Sequence, residues 1–438
     1  MNFLRRLFGL GPKPAPAPST SPGTAKPSAP AAPPVAPPLR TVIISWQEVI
    51  DRQSRIAGYC LRPASLQNGV PPTAGAIRDS LLAERVTGLA ERRLALIPLS
   101  RAQWQDTDFR PLVAAQTHFL IGADEAPDDT GSLIGLIEDI RAGGGRVALG
   151  EAALALSDGL ASQADLLVLS PGTQLLQAFE QRLRRYRERY PALPLMVDGV
   201  SSWAEHRLFL SHGVQYSMGS FAALPDDQES NGKVSQSRLI VIEMLNLLRS
   251  QAELSEIAAT AKRDPAVVLK LLEMANSPLS GLSRQVVTIE DAIMLLGRDA
   301  LYRWLALALF RVGNQDGRDE TLLVIALCRA YFLESVAGGD RQLAGELFLV
   351  GLLSVMDALL GLPMAQVLDK MRLPGAVAAV LLKSEGPYAP YLAMAMAMER
   401  CRMSQALMLA QTLGISSERL LAAYSEAMAA STAELAQA

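Results

Sequence analysis

The hydrophobic pattern of this chain changes character once, at the polar stretch Pro225-Asp-Asp-Gln-Glu-Ser-Asn-Gly232, and that change limits what the chain can fold into. Ahead of it, from Leu39, short β-rich runs alternate with helix-length segments. Candidate strands are Thr41–Ser45, Ile56–Leu61, Ala95–Leu99, Phe119–Gly122, Arg146–Leu149, Leu166–Leu169, Leu195–Val197 and Gln215–Met218. Amphipathic stretches such as Gly75–Glu91, Gly131–Ala142 and Gln174–Arg189 lie between them. Strand–helix units repeated about eight times predict a parallel α/β barrel over residues 39–224. Beyond a linker at 225–234, nearly every segment has helical periodicity, and residues 235–438 are expected to form an all-α domain. Its predicted helices are Arg238–Arg249, Ala266–Ala275, Ala300–Val312, Glu320–Ala337, Gln342–Leu360, Pro374–Leu382, Tyr388–Gln411 and Ser417–Ala430.

Composition supports this division. Half of the 438 residues are apolar but only 5% are aromatic, which suits an Ala/Leu-rich helical protein better than a β-sandwich. Net charge is −3, and residues 231–438 hold 19 Lys and Arg against 21 Asp and Glu, so no basic field there favours nucleic acid. Cys60, Cys328 and Cys401 form no CxxC pair and no disulfide framework, which fits a reducing cytoplasm. The nearest approach to a membrane span, Leu347–Met364, is interrupted by Ser354, Asp357 and Pro363 and reads as a buried helix and its exit.

Residues 11–38 hold eleven of the 27 prolines. Each removes an amide donor and fixes φ, so the segment is a semi-rigid spacer. In the ten residues before it, Phe3, Leu4, Leu7 and Phe8 would share one helical face, flanked by Arg5 and Arg6. The segment through Arg40 carries five basic residues and no acidic one. Docking to a partner or to an anionic membrane surface is therefore the expectation for residues 1–10, against an inert terminus. The first ten residues are too short for a signal-peptide core, so the expected location is the cytoplasm, peripheral to the inner membrane if the peptide docks there.

Other features read as structural. Gly143-Gly-Gly145 closes a helix and opens a strand, the reverse of a dinucleotide fingerprint. In Arg182-Leu-Arg-Arg-Tyr-Arg-Glu-Arg-Tyr190, an inward stripe of Leu175, Leu176, Phe179, Leu183 and Tyr186 leaves the arginines on a solvated outer face. His118, before a strand, and His206 and His212, in a bracketed helix, have no Ser or Cys placed beside them as a nucleophile. Asp124, Glu125, Asp128 and Asp129 lack the glycine and terminal Glu of a calcium loop. Ser202-x-x-Glu205 is a capping box, His212-Gly213 a C-cap, and Asp264-Pro265 and Thr288-x-x-Asp291 are helix starts. Asn276 and Ser277 satisfy backbone groups where a helix stops before Pro278. Met394-Ala-Met-Ala-Met398 reads as core filler, with an adaptable binding surface left open.

Four runs resemble a known family. Ile257-A-A-T-A-K-R-D-P-A-V-V-L-K-L-L-E-M-A-N-S-P278, with Thr288-I-E-D-A-I-M-L-L-G297, is similar to the opening of the HDOD domain, a helical relative of the HD metal phosphohydrolases. Leu347-F-L-V-G-L-L-S-V-M-D-A-L-L-G-L-P-M-A-Q-V-L368 and Leu373-P-G-A-V-A-A-V-L-L382 are also like that family. Where HD hydrolases carry Gly-Leu-Leu-His-Asp, this chain has Gly351-Leu-Leu-Ser354-Val355, and no histidine follows His212, so an HD metal site lacks its ligands. Roughly residues 41–438 resemble two-domain EAL–HDOD signalling proteins. In active members the EAL barrel hydrolyses cyclic di-GMP with two divalent metals.

The resemblance places Cys60 at the EAL glutamate, Pro98 at the next strand's asparagine and Gly150-Glu151 at the Asp-Asp pair. Val168 and Ser170 fall at Lys-x-Asp, Asp198-Gly-Val-Ser201 at Glu-Gly-Val-Glu, and Met218-Gly219 at Gln-Gly. Only Glu151 and Asp198 keep a carboxylate, too few hard oxygen ligands for two such ions. The resemblance thus implies a TIM-like, degenerate EAL barrel followed by an HDOD domain, acting without catalysis, cofactor or nucleic acid as a regulator or scaffold for other signalling proteins. Control of motility or surface attachment within cyclic di-GMP signalling is its expected setting, and binding of cyclic di-GMP itself is not expected. The alternatives are a residual phosphodiesterase and a cyclic di-GMP receptor.

Overall fold

A computed structural model describes residues 41–66, 70–122, 130–154, 158–226, 234–276, 286–313 and 316–435. Phe3, Leu4, Leu7, Phe8, the proline spacer, the acidic residues at 124–129 and Ser277 lie outside them.

Eight strands close into a barrel in chain order: β1 (Val42–Ile50), β2 (Ile56–Ser65), β3 (Leu94–Pro98), β4 (Thr117–Ile121), β5 (Arg146–Gly150), β6 (Leu166–Leu169), β7 (Leu195–Val200) and β8 (Tyr216–Gly219). All eight expected strands are present, but the barrel is not wholly parallel. β2 to β8 pair in parallel, whereas β1 runs antiparallel to both β2 and β8. The cause is the connection. A parallel return needs a crossover of a dozen residues or more. β1 instead runs on to Ile50, and residues 51–55 make a tight turn in which the Asp51 carboxylate accepts from the amides of Gln53 and Arg55. His118, expected ahead of a strand, lies within β4.

The barrel helices are α1 (Ala74–Ala83), α2 (Val86–Ala90), α3 (Arg101–Asp106), α4 (Thr130–Ala142), α5 (Glu151–Leu154), α6 (Leu176–Arg189) and α7 (Trp203–Ser211). In α6, Phe179 and Leu183 are fully buried, but Leu175 is 81% exposed and Leu176 is also exposed. The inward stripe therefore starts one turn later than its spacing implied, because Leu175 is the N-cap and precedes the helical face. Ser202 caps α7 by accepting from the Glu205 amide, while the Glu205 carboxylate reaches the amide of Ser201 and not that of Ser202. The capping box is thus displaced by one residue.

The helical region comprises α8 (Gln236–Arg249), α9 (Leu254–Ala261), α10 (Pro265–Asn276), α11 (Ile289–Arg311), α12 (Gly317–Val336), α13 (Arg341–Leu353), α14 (Met356–Leu360), α15 (Met364–Lys370), α16 (Gly375–Lys383), α17 (Ala389–Glu399), α18 (Met403–Thr412) and α19 (Ser417–Leu435). Two segments expected as single helices are each two. Gln342–Leu360 breaks at Ser354–Val355, and Tyr388–Gln411 breaks at Arg400–Arg402, where Cys401 takes a left-handed φ of 54°. Asn276 ends α10 and clamps Val286, donating to its carbonyl and accepting from its amide at 2.7 Å each.

A small apolar cluster that includes Val49, Cys60, Leu96, Leu120, Val168 and Met218 fills the barrel. The larger one is continuous from the barrel's outer face through the helical region. This continuity follows from β1. With no crossover helix of its own, its outward face needs other cover, and α12, α17 and α19 supply it. The Tyr424 hydroxyl accepts from the Trp46 amide at 3.3 Å, Thr321 donates to the Ser54 carbonyl at 2.8 Å, and Ser425 donates to Glu84 at 2.6 Å. Gly317 opens α12 because a Cβ there would lie 1.9 Å from the Gln53 carbonyl oxygen. Gly351 is required where α13 crosses α12, since its Cβ would meet the Ala330 amide at 2.5 Å. The helical region therefore completes the outer layer of the barrel.

Candidate functional site

Alternation along the strands carries Cys60, Val168, Asp198 and Met218 toward the barrel interior. Cys60 and Met218 are fully buried there, and Val168 nearly so. At the C-terminal mouth, where barrel enzymes assemble their catalytic groups, the two retained carboxylates are already engaged. Asp198, on β7, accepts from Arg62 Nη2 at 2.7 Å, and Arg62 also donates to Gln47 at 3.3 Å. Glu151, the first residue of α5, accepts from the Tyr186 hydroxyl at 3.0 Å and pairs with Arg182 at 3.3 Å. Burial, then Glu151, holds the Tyr186 phenol above its ordinary range, so it remains a neutral donor. Among the described residues, no three His, Cys, Asp or Glu side chains are grouped to hold a metal ion.

Local sequence spacing does not mark Arg62, Arg182 or Tyr186 as partners of these carboxylates. The arginine-rich helix is therefore not purely a solvated face. Arg182 turns back onto Glu151 and the Ser170 carbonyl, and Arg187 donates to the carbonyls of Pro191 and Gly213. His206 is fully buried, with both ring nitrogens lacking a partner among the described residues and the ring packed on Trp203 and Phe221. Burial depresses its pKa to about 4.

The second concentration of polar groups lies at the domain junction. A cleft of about 230 Å³ is lined by Glu48 of β1 and by Arg329, Ser354, Asp357 and Glu399 of the helical region. Arg329 grips Glu399 with two parallel bonds of 2.6 and 2.8 Å and donates to Ser354 Oγ at 2.9 Å. Ser354 in turn donates to the Gly351 carbonyl at 2.7 Å. Burial opposes the Arg329 charge, but Glu399 and Glu48 outweigh it and hold the guanidinium protonated. Glu48 faces this pair. Burial, reinforced by Glu399, pushes its carboxyl up to about 7. On the other side of the contact Arg318 stacks over Trp203 at 5.3 Å and donates to the Ala358 carbonyl at 3.0 Å. Met394 and Met398 are buried in the core, and Met396 lines the cleft.

Residues 238–371 match the HDOD domain. The helical region carries an HDOD domain. It follows the barrel in the order the sequence implied. The chain is 26% identical over 200 residues to the uncharacterized protein YuxH of Bacillus subtilis, a match covering 45% of this chain and 49% of YuxH. It is 25% identical over 178 residues to the cyclic di-GMP phosphodiesterase CdgJ of Vibrio cholerae, covering 40% and 41%. The matches thus span half or less of these relatives. Among solved structures, an EAL domain protein of Listeria monocytogenes is similar with a TM-score of 0.34 at 13% identity, covering 42% of this chain and 87% of that one. The EAL domain of Xanthomonas citri FimX in complex with c-diGMP gives 0.33 at 15%, covering 42% and 87%. Among the described residues no helix is long and apolar enough to cross a membrane.

Ser354, at the position the resemblance gives to the HD histidine, therefore stands in a pocket organised around a guanidinium. Such a pocket can hold two helices and a barrel strand in register.

Proposed function

We propose that the chain is a non-catalytic regulator in cyclic di-GMP-related signalling, in which an EAL-like barrel and an HDOD domain act as one interaction platform for other signalling proteins. The observation that carries this reading is the pairing of Asp198 with Arg62 and of Glu151 with Arg182 and Tyr186. Each arginine supplies the positive charge that a divalent ion would otherwise bring, and displacing it would leave a guanidinium facing the ion. Loss of the remaining acidic positions to Cys60, Gly150, Ser170 and Ser201 supports the same reading. No cofactor and no nucleic acid has a role in it. The HDOD match supports a signalling role, and CdgJ supports cyclic di-GMP as its setting.

Calorimetry of the full chain with cyclic di-GMP, with and without Mg²⁺, tests the proposal. Silence in both is expected. Heat without turnover would make the barrel a receptor, and turnover would make it an enzyme. The N-terminal Phe3, Leu4, Leu7 and Phe8 are proposed to tether the platform to a partner or to the inner membrane surface. Deleting residues 2–10 is expected to change its distribution between soluble and membrane fractions or its captured partners, and an unchanged result in both would remove the tether.

A further inference from the structure

The N-terminal mouth of the barrel holds a second polar cavity, of about 300 Å³, at the opposite strand ends from Glu151 and Asp198. Strands β2 to β8 each contribute a residue at or beside their first position. This face of a (β/α) barrel ordinarily serves stability, so an open polar cavity there needs another account.

Its charges are unbalanced. Asp165 is the sole carboxylate in the lining, and it is already engaged, accepting from Arg141 at 3.2 and 3.3 Å and from the Val147 amide at 2.8 Å. The Arg92 guanidinium makes no ion pair or hydrogen bond among the described residues, its backbone amide alone donating, to the Leu89 carbonyl. Arg146 donates from Nη1 to the Gln116 side-chain oxygen at 3.2 Å, which leaves its other guanidinium donors and the Gln116 amide NH₂ available. His118, only 5% exposed, lies deeper. Its Nδ1 faces the Gln116 carbonyl at 3.0 Å, and since a carbonyl can only accept, the neutral ring carries its proton there. Burial and the Arg146 charge hold its pKa below the ordinary range. Arg92 and Arg146 thus line, beside the neutral Gln116 and Tyr216, a cavity whose one carboxylate is already paired.

We propose that this cavity is an oxyanion site, taking inorganic phosphate or the phosphate of a small phosphomonoester on Arg92 and Arg146, with Tyr216 and Gln116 as neutral donors. Paired guanidinium groups suit the planar, multidentate recognition of such anions. The proposal is independent of the chemistry at the opposite mouth.

Calorimetry of the full chain with inorganic phosphate, and in parallel with glycerol 3-phosphate, at matched ionic strength tests it. Saturable binding of at least one probe is expected, weakened about tenfold or more by Arg92→Gln or Arg146→Gln and unchanged by Arg78→Gln on α1. Both lining arginines are exposed, so the variants should melt as the parent does. The tighter of the two probes identifies free phosphate or a phosphorylated metabolite as the ligand class. Absence of saturable binding, or binding that survives the Arg92→Gln/Arg146→Gln double variant, would overturn the assignment.

Discussion

The barrel's C-terminal mouth and the domain junction answer a carboxylate in the same way, with an arginine, but in different surroundings. Arg62 and Asp198 remain 29% and 28% exposed, whereas Arg329 and Glu399 are 6% and 17% exposed. Water screens the first pair, so it compensates the Asp198 charge while adding little to stability. The second pair is desolvated. There a missing partner would leave a buried charge uncompensated, and the pair fixes how α12, α17 and β1 meet. The same chemistry thus occupies a carboxylate at a solvated mouth in one place and holds a desolvated junction in the other.

The largest expected effect that would break this comparison comes from the junction. Arg329→Ala should lower stability by about 3–5 kcal/mol, read by urea unfolding monitored in both domains together. Close behind is Trp46→Ala, which removes a buried ring that packs at 5.3 Å on Tyr59 beneath the helical cover. It should cost about 3–5 kcal/mol, and the two domains should then unfold in separate steps if the shared core is what couples them.

The pH dependence is smaller. Glu48 keeps its proton to about pH 7 when folded and loses it near 4.5 when unfolded. The folded chain therefore binds more protons between these values, and stability falls as pH rises through them. Asp319, raised by burial to about 6 despite its pairing with Arg238, contributes in the same direction. His206 works oppositely, removing stability as pH falls from 6.5 to about 4. Comparing the parent with Glu48→Gln cancels both of those contributions. The variant should gain on the order of 1–2 kcal/mol relative to the parent on going from about pH 5 to about pH 8, read by thermal melting. The smallest effect is that of Arg62→Ala, expected within about 1 kcal/mol of the parent in urea unfolding.

Much of this molecule was legible in its sequence, and the parts that were not share a physical cause. Strand positions and most helices follow from periodicity, and Thr288 caps α11 through the Asp291 amide as its spacing implied. The direction of β1 was not legible, because it depends on a five-residue turn and on pairing with β8, the far end of the barrel in sequence. Nor were the helix breaks, since one uses a left-handed cysteine where glycine would have announced it. At the candidate site, Glu151 and Asp198 could be placed at strand ends by resemblance. Their partners could not, because Arg62 lies 136 residues from Asp198 and Tyr186 lies 35 from Glu151. Contacts over such separations depend on barrel closure, which no local pattern encodes.

The central proposal is that arginine stands in place of metal at the barrel's C-terminal mouth. A turnover assay of purified full-length chain with cyclic di-GMP and excess Mn²⁺ tests it most directly. No hydrolysis is expected from the parent or from Asp198→Ala. Hydrolysis by the parent that disappears in Asp198→Ala would contradict the account.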